Sequence, residues 1–157
     1  MKKLSIYLVL VLIVFSACKK YDEGPLISLR SKEKRLCQKW DLQKVIYDGE
    51  DESIGDDMNY YYWDIKKDGT IDVEVSYIDW GDLETMKLSW EWIDKKEGIR
   101  ITLLEDNYKN NPFLSFYKKH SNEDFTIDCE IKRLKYKEFI IEFEDDGEKG
   151  RFEFDKK

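Results

Sequence analysis

A chain of 157 residues fits one domain with a single ordinary core, and 15% aromatic residues beside 39% charged ones describe a ring-rich interior under an ionised surface. That aromatic content excludes a disordered segment. A formal net charge of -7 excludes nucleic acid as the expected partner, since phosphate binding needs a basic face.

Taken in order, the chain opens with the basic Met1-Lys2-Lys3, an apolar run from Leu4 to Phe15 broken only by Ser5 and Tyr7, and the closing Phe15-Ser16-Ala17-Cys18. Residues 1–17 are expected to be a signal peptide, because about 12 apolar residues make a helix of roughly 18 Å, too short for a hydrocarbon core of about 30 Å. The small-small-Cys ending resembles the lipobox of bacterial lipoproteins. That resemblance implies that the Cys18 thiol receives a diacylglyceryl group and becomes the membrane-attached N-terminus, ordinary secretory cleavage being the alternative. Loss of Lys2 and Lys3 leaves 25 basic against 34 acidic side chains, or -9. Residues 18–27 then form a tether, charged and carrying Gly24-Pro25. The basic-then-acidic order of Lys19-Lys20-Tyr21-Asp22-Glu23 resembles the export signal of lipoproteins in the Bacteroides group. It implies the outer membrane of a Gram-negative envelope, on the periplasmic or the surface face.

The domain proper is expected over 28–157. Between Leu26 and Gln38, Leu29, Leu36 and Cys37 stand at helical spacing, with Ser28 or Ser31 as N-cap, which predicts a short amphipathic helix. From Lys39 onward the apolar period becomes two. Trp40, Leu42 and Ile46 mark a first strand, with Lys44 as the polar residue in its inward phase, and the acidic loop Asp48–Asp57 follows. Tyr61, Trp63 and Ile65 mark the second strand, and the turn Lys67-Asp68-Gly69 leads to Ile71, Val73, Val75 and Tyr77. Past Gly81 come Met86, Leu88, Trp90 and Trp92, then Ile99, Ile101 and Leu103. Phe113–Lys118 reads as a strand or a packed loop. The alternation resumes at Phe125, Ile127, Cys129 and Ile131, again at Phe139, Ile141 and Phe143, and ends with Phe152 and Phe154.

These runs predict an all-β fold of eight strands, each beside its sequence neighbour. Two unpaired edges would be an aggregation hazard in an exported protein, so the expected solution is closure into an up-and-down antiparallel barrel. At that strand number the interior is either filled by side chains or holds one small ligand. The layout is similar to the lipocalin-like family, in particular the small lipoproteins of the Bacteroides group, through its lipobox, its tether, the segment Gly24–Lys32 and the tryptophan of Gln38-Lys39-Trp40. The resemblance implies an eight-stranded lipocalin-like barrel with a short N-terminal helix, and a Trp40 packed across one end of it beneath the Leu36 region.

Sites of chemistry are few. His120, the only histidine, lies in the charged run Lys118–Asn122 without the partners that a triad or a histidine metal site needs. Glu74, Glu91 and Glu142 fall on the wet phase of their strands, not in an enclosed acid site. The Asp48–Asp57 loop lacks EF-hand spacing. No catalytic residue, metal or cofactor is therefore expected, and the chain is read as a non-enzyme. Cys37 and Cys129 both sit on apolar phases and are either a disulfide or two buried thiols. The candidate ligand-binding set is Tyr61, Trp63, Tyr77, Trp90 and Trp92 on the inward phase with Trp80 in the loop Ile78–Asp82. Two functions remain in view: a membrane-anchored barrel that binds a small apolar or amphipathic ligand, and a filled barrel that acts on a protein partner of unknown identity through its outer surface.

Overall fold

The computed structural model describes residues 30–52, 58–77, 83–104, 126–145 and 147–157. Among the described residues there are nine antiparallel strands, eight of them from the period-two runs: β1 (Lys39–Tyr47), β2 (Glu50–Glu52), β3 (Met58–Ile65), β4 (Thr70–Tyr77), β5 (Leu83–Ile93), β6 (Gly98–Leu103), β7 (Thr126–Leu134), β8 (Glu138–Asp145) and β9 (Glu148–Lys156). They lie in the order β2-β1-β3-β4-β5-β6-β7-β8-β9, and β1 pairs with β9 as well. That pairing, from Trp40↔Lys156 to Tyr47↔Gly150, closes eight strands into a barrel and leaves only β2 outside the ring. Closure gives the first and last long strands a partner on both sides, which removes the sticky edges of an open meander.

The strands define two ends. At the foot lie the helix α1 (Lys32–Leu36), the β3–β4, β5–β6 and β7–β8 connections and the C-terminus; at the rim lie the end of β1 and the starts of β3, β5, β7 and β9. The helix is shorter than the expected Leu26–Gln38, and residues 26–29 lie outside the described residues. Its cap is Ser31, whose Oγ accepts from the Lys34 N–H at 3.1 Å. It stops where Trp40 enters the barrel: the indole Nε1 donates to the Leu36 carbonyl at 2.9 Å and satisfies a terminal acceptor that the helix cannot. Five residues cannot hold a helix alone, so tertiary contacts fix it. Leu36 is fully buried, and Arg35 donates to the Leu134 carbonyl of β7 at 3.0 Å.

Two expectations are corrected in the first hairpin. The register of β1 against β9 shifts between Leu42 and Lys44, which makes a bulge around Gln43. An extra residue reverses the face of everything after it, so Val45 and Tyr47 pack on the core in place of Ile46, and Lys44 turns outward to the Asp51 carboxylate at 2.8 Å. The bulge thus removes the misplaced polar residue. The acidic stretch after Tyr47 is also not wholly loop. A turn through Asp48 and Gly49, both with positive φ, folds Glu50–Glu52 back onto Val45–Tyr47.

Along β4 and β6 the alternation holds, while a further shift of β7 against β8, between Ile131 and Arg133, puts Leu134 on the core. Ile71, Val73 and Val75 of β4 are fully buried, as are Ile99 and Ile101 of β6. The Lys67-Asp68-Gly69 turn joins β3 to β4, with Gly69 at a φ of +87° that an L side chain rarely adopts. Gly150 serves a different purpose. It sits inside β9 opposite Phe143, and a Cβ there would stand 1.9 Å from Phe143 Cζ, so the missing side chain is the space that the ring fills. The Phe113–Lys118 segment lies outside the described residues.

Candidate functional site

The barrel interior is a column of rings. Trp40 meets Phe139 with centroids 5.3 Å apart, Phe139 meets Phe154 at 5.2 Å, Phe154 meets Trp63 at 5.0 Å, Trp63 meets Phe152 at 6.1 Å, and Phe152 meets Phe143 at 5.1 Å. All are contact distances for aromatic pairs. The chain of contacts runs from the foot, where Trp40 lies under α1, toward the rim, where Phe143 covers Gly150. Trp40 therefore occupies the place expected of it, across one end and beneath the helix.

Of the six candidate ligand residues, Tyr61, Trp63, Trp90 and Trp92 have described side chains, and these four are spread along the barrel. Trp63 is fully buried among Phe152 and Phe154 and is part of the column. Trp90 belongs to the foot, where its Nε1 donates to the Lys66 carbonyl at 2.9 Å; Trp92 packs edge-on against it at 5.3 Å, with the Lys96 ammonium 5.5 Å over its ring. Tyr61 is buried in the rim half of β3. Tyr77 ends β4 opposite Met58, also toward the rim, and its side chain is outside the described residues, as are Trp80 and His120.

What the rim does expose was missed in the sequence. Val45 and Tyr47 at the end of β1 pack on the core yet stay partly open to solvent, as does Leu103 at the end of β6, and Leu104 after it is 52% exposed. The Tyr47 hydroxyl donates to the Glu148 carboxylate, a phenol–carboxylate pair joining the end of β1 to the start of β9. The one sequence signal for Val45 and Tyr47 was Lys44 in an inward phase, an inconsistency that a bulge resolves. Chemically the rim suits contact with a small apolar or amphipathic surface: hydrocarbon to bury, and one polar handle to orient it.

The outer wall is ionic, and its carboxylates are paired with cations. Glu74 pairs with Lys39, Glu91 with Arg100, and Glu142 with Arg151. The Arg100 fork bonds both Asp128 oxygens, at 2.7 and 2.9 Å, and holds that carboxyl below the usual range. Partial burial raises Asp41, which stands on the outer phase of β1 near Lys157 and Asp155. Among the described residues no group of three His, Cys, Asp or Glu side chains could hold a metal ion.

Cys37 and Cys129 are both free thiols. Cys37 follows α1 at the foot, whereas Cys129 is buried midway along β7 between Ile99 and Phe143, so the two elements present their sulfurs at different heights of the barrel. Burial pushes the Cys37 thiol up to about 11 and raises that of Cys129 as well. Both are held protonated and unreactive at neutral pH.

No protein-family profile and no curated protein sequence matches the chain. Among solved structures it is similar to a lipocalin-like protein from Bacteroides uniformis, with a TM-score of 0.52 and 21% identity over 75% of this chain and 96% of that one. It also aligns with a redesigned β barrel, at a TM-score of 0.42 and 14% identity, covering 83% of this chain and 99% of that one. The fold is thus a closed, lipocalin-like antiparallel barrel, with one short α-helix among the described residues.

Proposed function

We propose that this chain is a non-catalytic envelope lipoprotein, tied to the outer membrane through a diacylglyceryl group on Cys18, whose barrel receives a small apolar or amphipathic ligand at its rim and not in a deep cavity. One observation carries the reading: the aromatic column packs the interior from Trp40 to Phe143, while Val45 and Tyr47 at the end of β1 and Leu103 at the end of β6 remain partly open. The lipobox-like Phe15–Cys18 supports the anchor, and the likeness to a lipocalin-like protein supports the barrel.

Native mass spectrometry of the protein purified from its own host tests both halves. The expected result is an acylated Cys18 together with a retained small molecule that Tyr47→Asp combined with Leu103→Asp releases. A chain that carries no such molecule and binds no apolar fluorescent probe overturns the ligand half. The filled barrel then acts on a protein partner through its loops. A specific feature favours that second reading: the segments that join strands at the rim, 48–57, 78–82, 104–125 and 146–147, hold 13 acidic and 3 basic residues, a composition suited to a basic protein surface.

A further inference from the structure

The foot has the opposite composition. Segments 30–38, 66–69, 94–97, 135–137 and 156–157 hold 12 basic and 4 acidic residues in a chain whose net charge is -7. Some of these cations are occupied: Lys66 pairs with Asp72, Lys135 with Glu138, and Arg30 and Lys156 lie over the Tyr136 ring at 4.2 and 3.9 Å. Lys34 on α1, Lys67 between β3 and β4, Lys95 between β5 and β6, and Lys137 between β7 and β8 are exposed and make no ion pair among the described residues. Every element that closes the foot therefore contributes an ammonium to solvent.

The chain also enters here. Arg30, the first described residue, rests on Tyr136 of the β7–β8 turn, so the preceding segment departs from the foot. Cys18 lies 12 residues before it, a reach of no more than about 40 Å.

We propose that the foot is a docking face for an anionic phospholipid surface, the four exposed lysines meeting headgroup phosphates while the acidic rim is turned away. The inference rests on the lipid attachment proposed for Cys18. It adds the second signal that stable anchoring takes, a basic patch beside the acyl chains, and it fixes an orientation in which the rim faces away from the bilayer. Attraction acts within a screening length of about 8 Å, so only a face pressed against the membrane gains from it.

The test uses the chain from Lys19 onward, which keeps every residue of the closed barrel and cannot be held by acyl chains. Sedimentation with vesicles of phosphatidylcholine, alone or mixed with phosphatidylglycerol, should show binding to the mixed vesicles only, weakening as salt rises. Lys34→Glu with Lys137→Glu should lower that binding by at least about tenfold. Lys87→Glu with Lys149→Glu makes the same charge change on the wall and near the rim and should alter it by less than about twofold. Absence of binding, equal binding to neutral vesicles, or an equal loss in both pairs would overturn the proposal. The intact mass at Cys18 is read separately: a missing acyl group defeats the anchor and leaves the vesicle result standing, whereas an acylated chain with indifferent foot variants defeats the docking face alone.

Discussion

The two ends of the barrel solve the same problem differently. Three foot connections are short, and the carbonyls that they expose are taken by side chains: Lys66 by the Trp90 indole, Lys96 by Lys32, Leu134 by Arg35 and Tyr136 by Gln38. At the rim the chain spends 10 residues between β1 and β3 and 22 between β6 and β7, and its apolar ends stay half open. An end whose polar backbone is satisfied by its neighbours becomes part of the core, and the other is left free for contact with something else.

The largest effect expected from this contrast is at Trp40. Trp40→Ala removes a fully buried indole together with its bond to Leu36 and should cost about 3–5 kcal/mol in denaturant unfolding, whereas Tyr47→Ala at the rim should cost about 1 kcal/mol. Equal costs would mean that the rim is as much core as the foot. Next, Gly150→Ala drives a methyl group into Phe143 and should cost about 1–3 kcal/mol. Most of that penalty should vanish when it is added to Phe143→Ala, which a double-mutant cycle reads directly.

A smaller change of opposite sign is expected at the foot. Asp94, Lys95 and Lys96 all have positive φ, with Lys96 at 71°, so Lys96→Gly should raise stability by about 1 kcal/mol or less despite losing a cation. Smallest is a pH effect. Lys135 first, and then Arg133, hold the Glu138 carboxyl below its usual value, so its contribution is present above about pH 4.5 and fades as the pH falls through the depressed folded value. The pair is partly exposed, and Glu138→Gln should cost no more than about 0.5 kcal/mol at neutral pH, with the difference from the parent melting temperature closing in acid.

Much of this was legible before any coordinates. Strand identity and facing follow from a period of two, because each neighbouring side chain points the other way, and that local rule placed Ile71, Val73, Val75, Met86, Leu88 and Trp90 correctly on the core, with Ile127, Cys129 and Ile131. Ser31 as cap and Gly69 as turn were equally local. The role of each ring was not legible there, for a physical reason: an inward-facing aromatic looks the same in sequence whether it lines a void or fills it. Trp63 proved to be filling, and Trp90 to be tying down a turn.

The sequence by itself determined which side chains must leave water and where the eight long strands that carry them run, since both depend on residues near one another along the chain. Tertiary structure alone decided the register in which β1 meets β9 and the bulge at Gln43 that turns Val45 and Tyr47 inward. Each of those is set by residues roughly 100 positions apart competing for one geometry, and no short window of sequence contains both competitors.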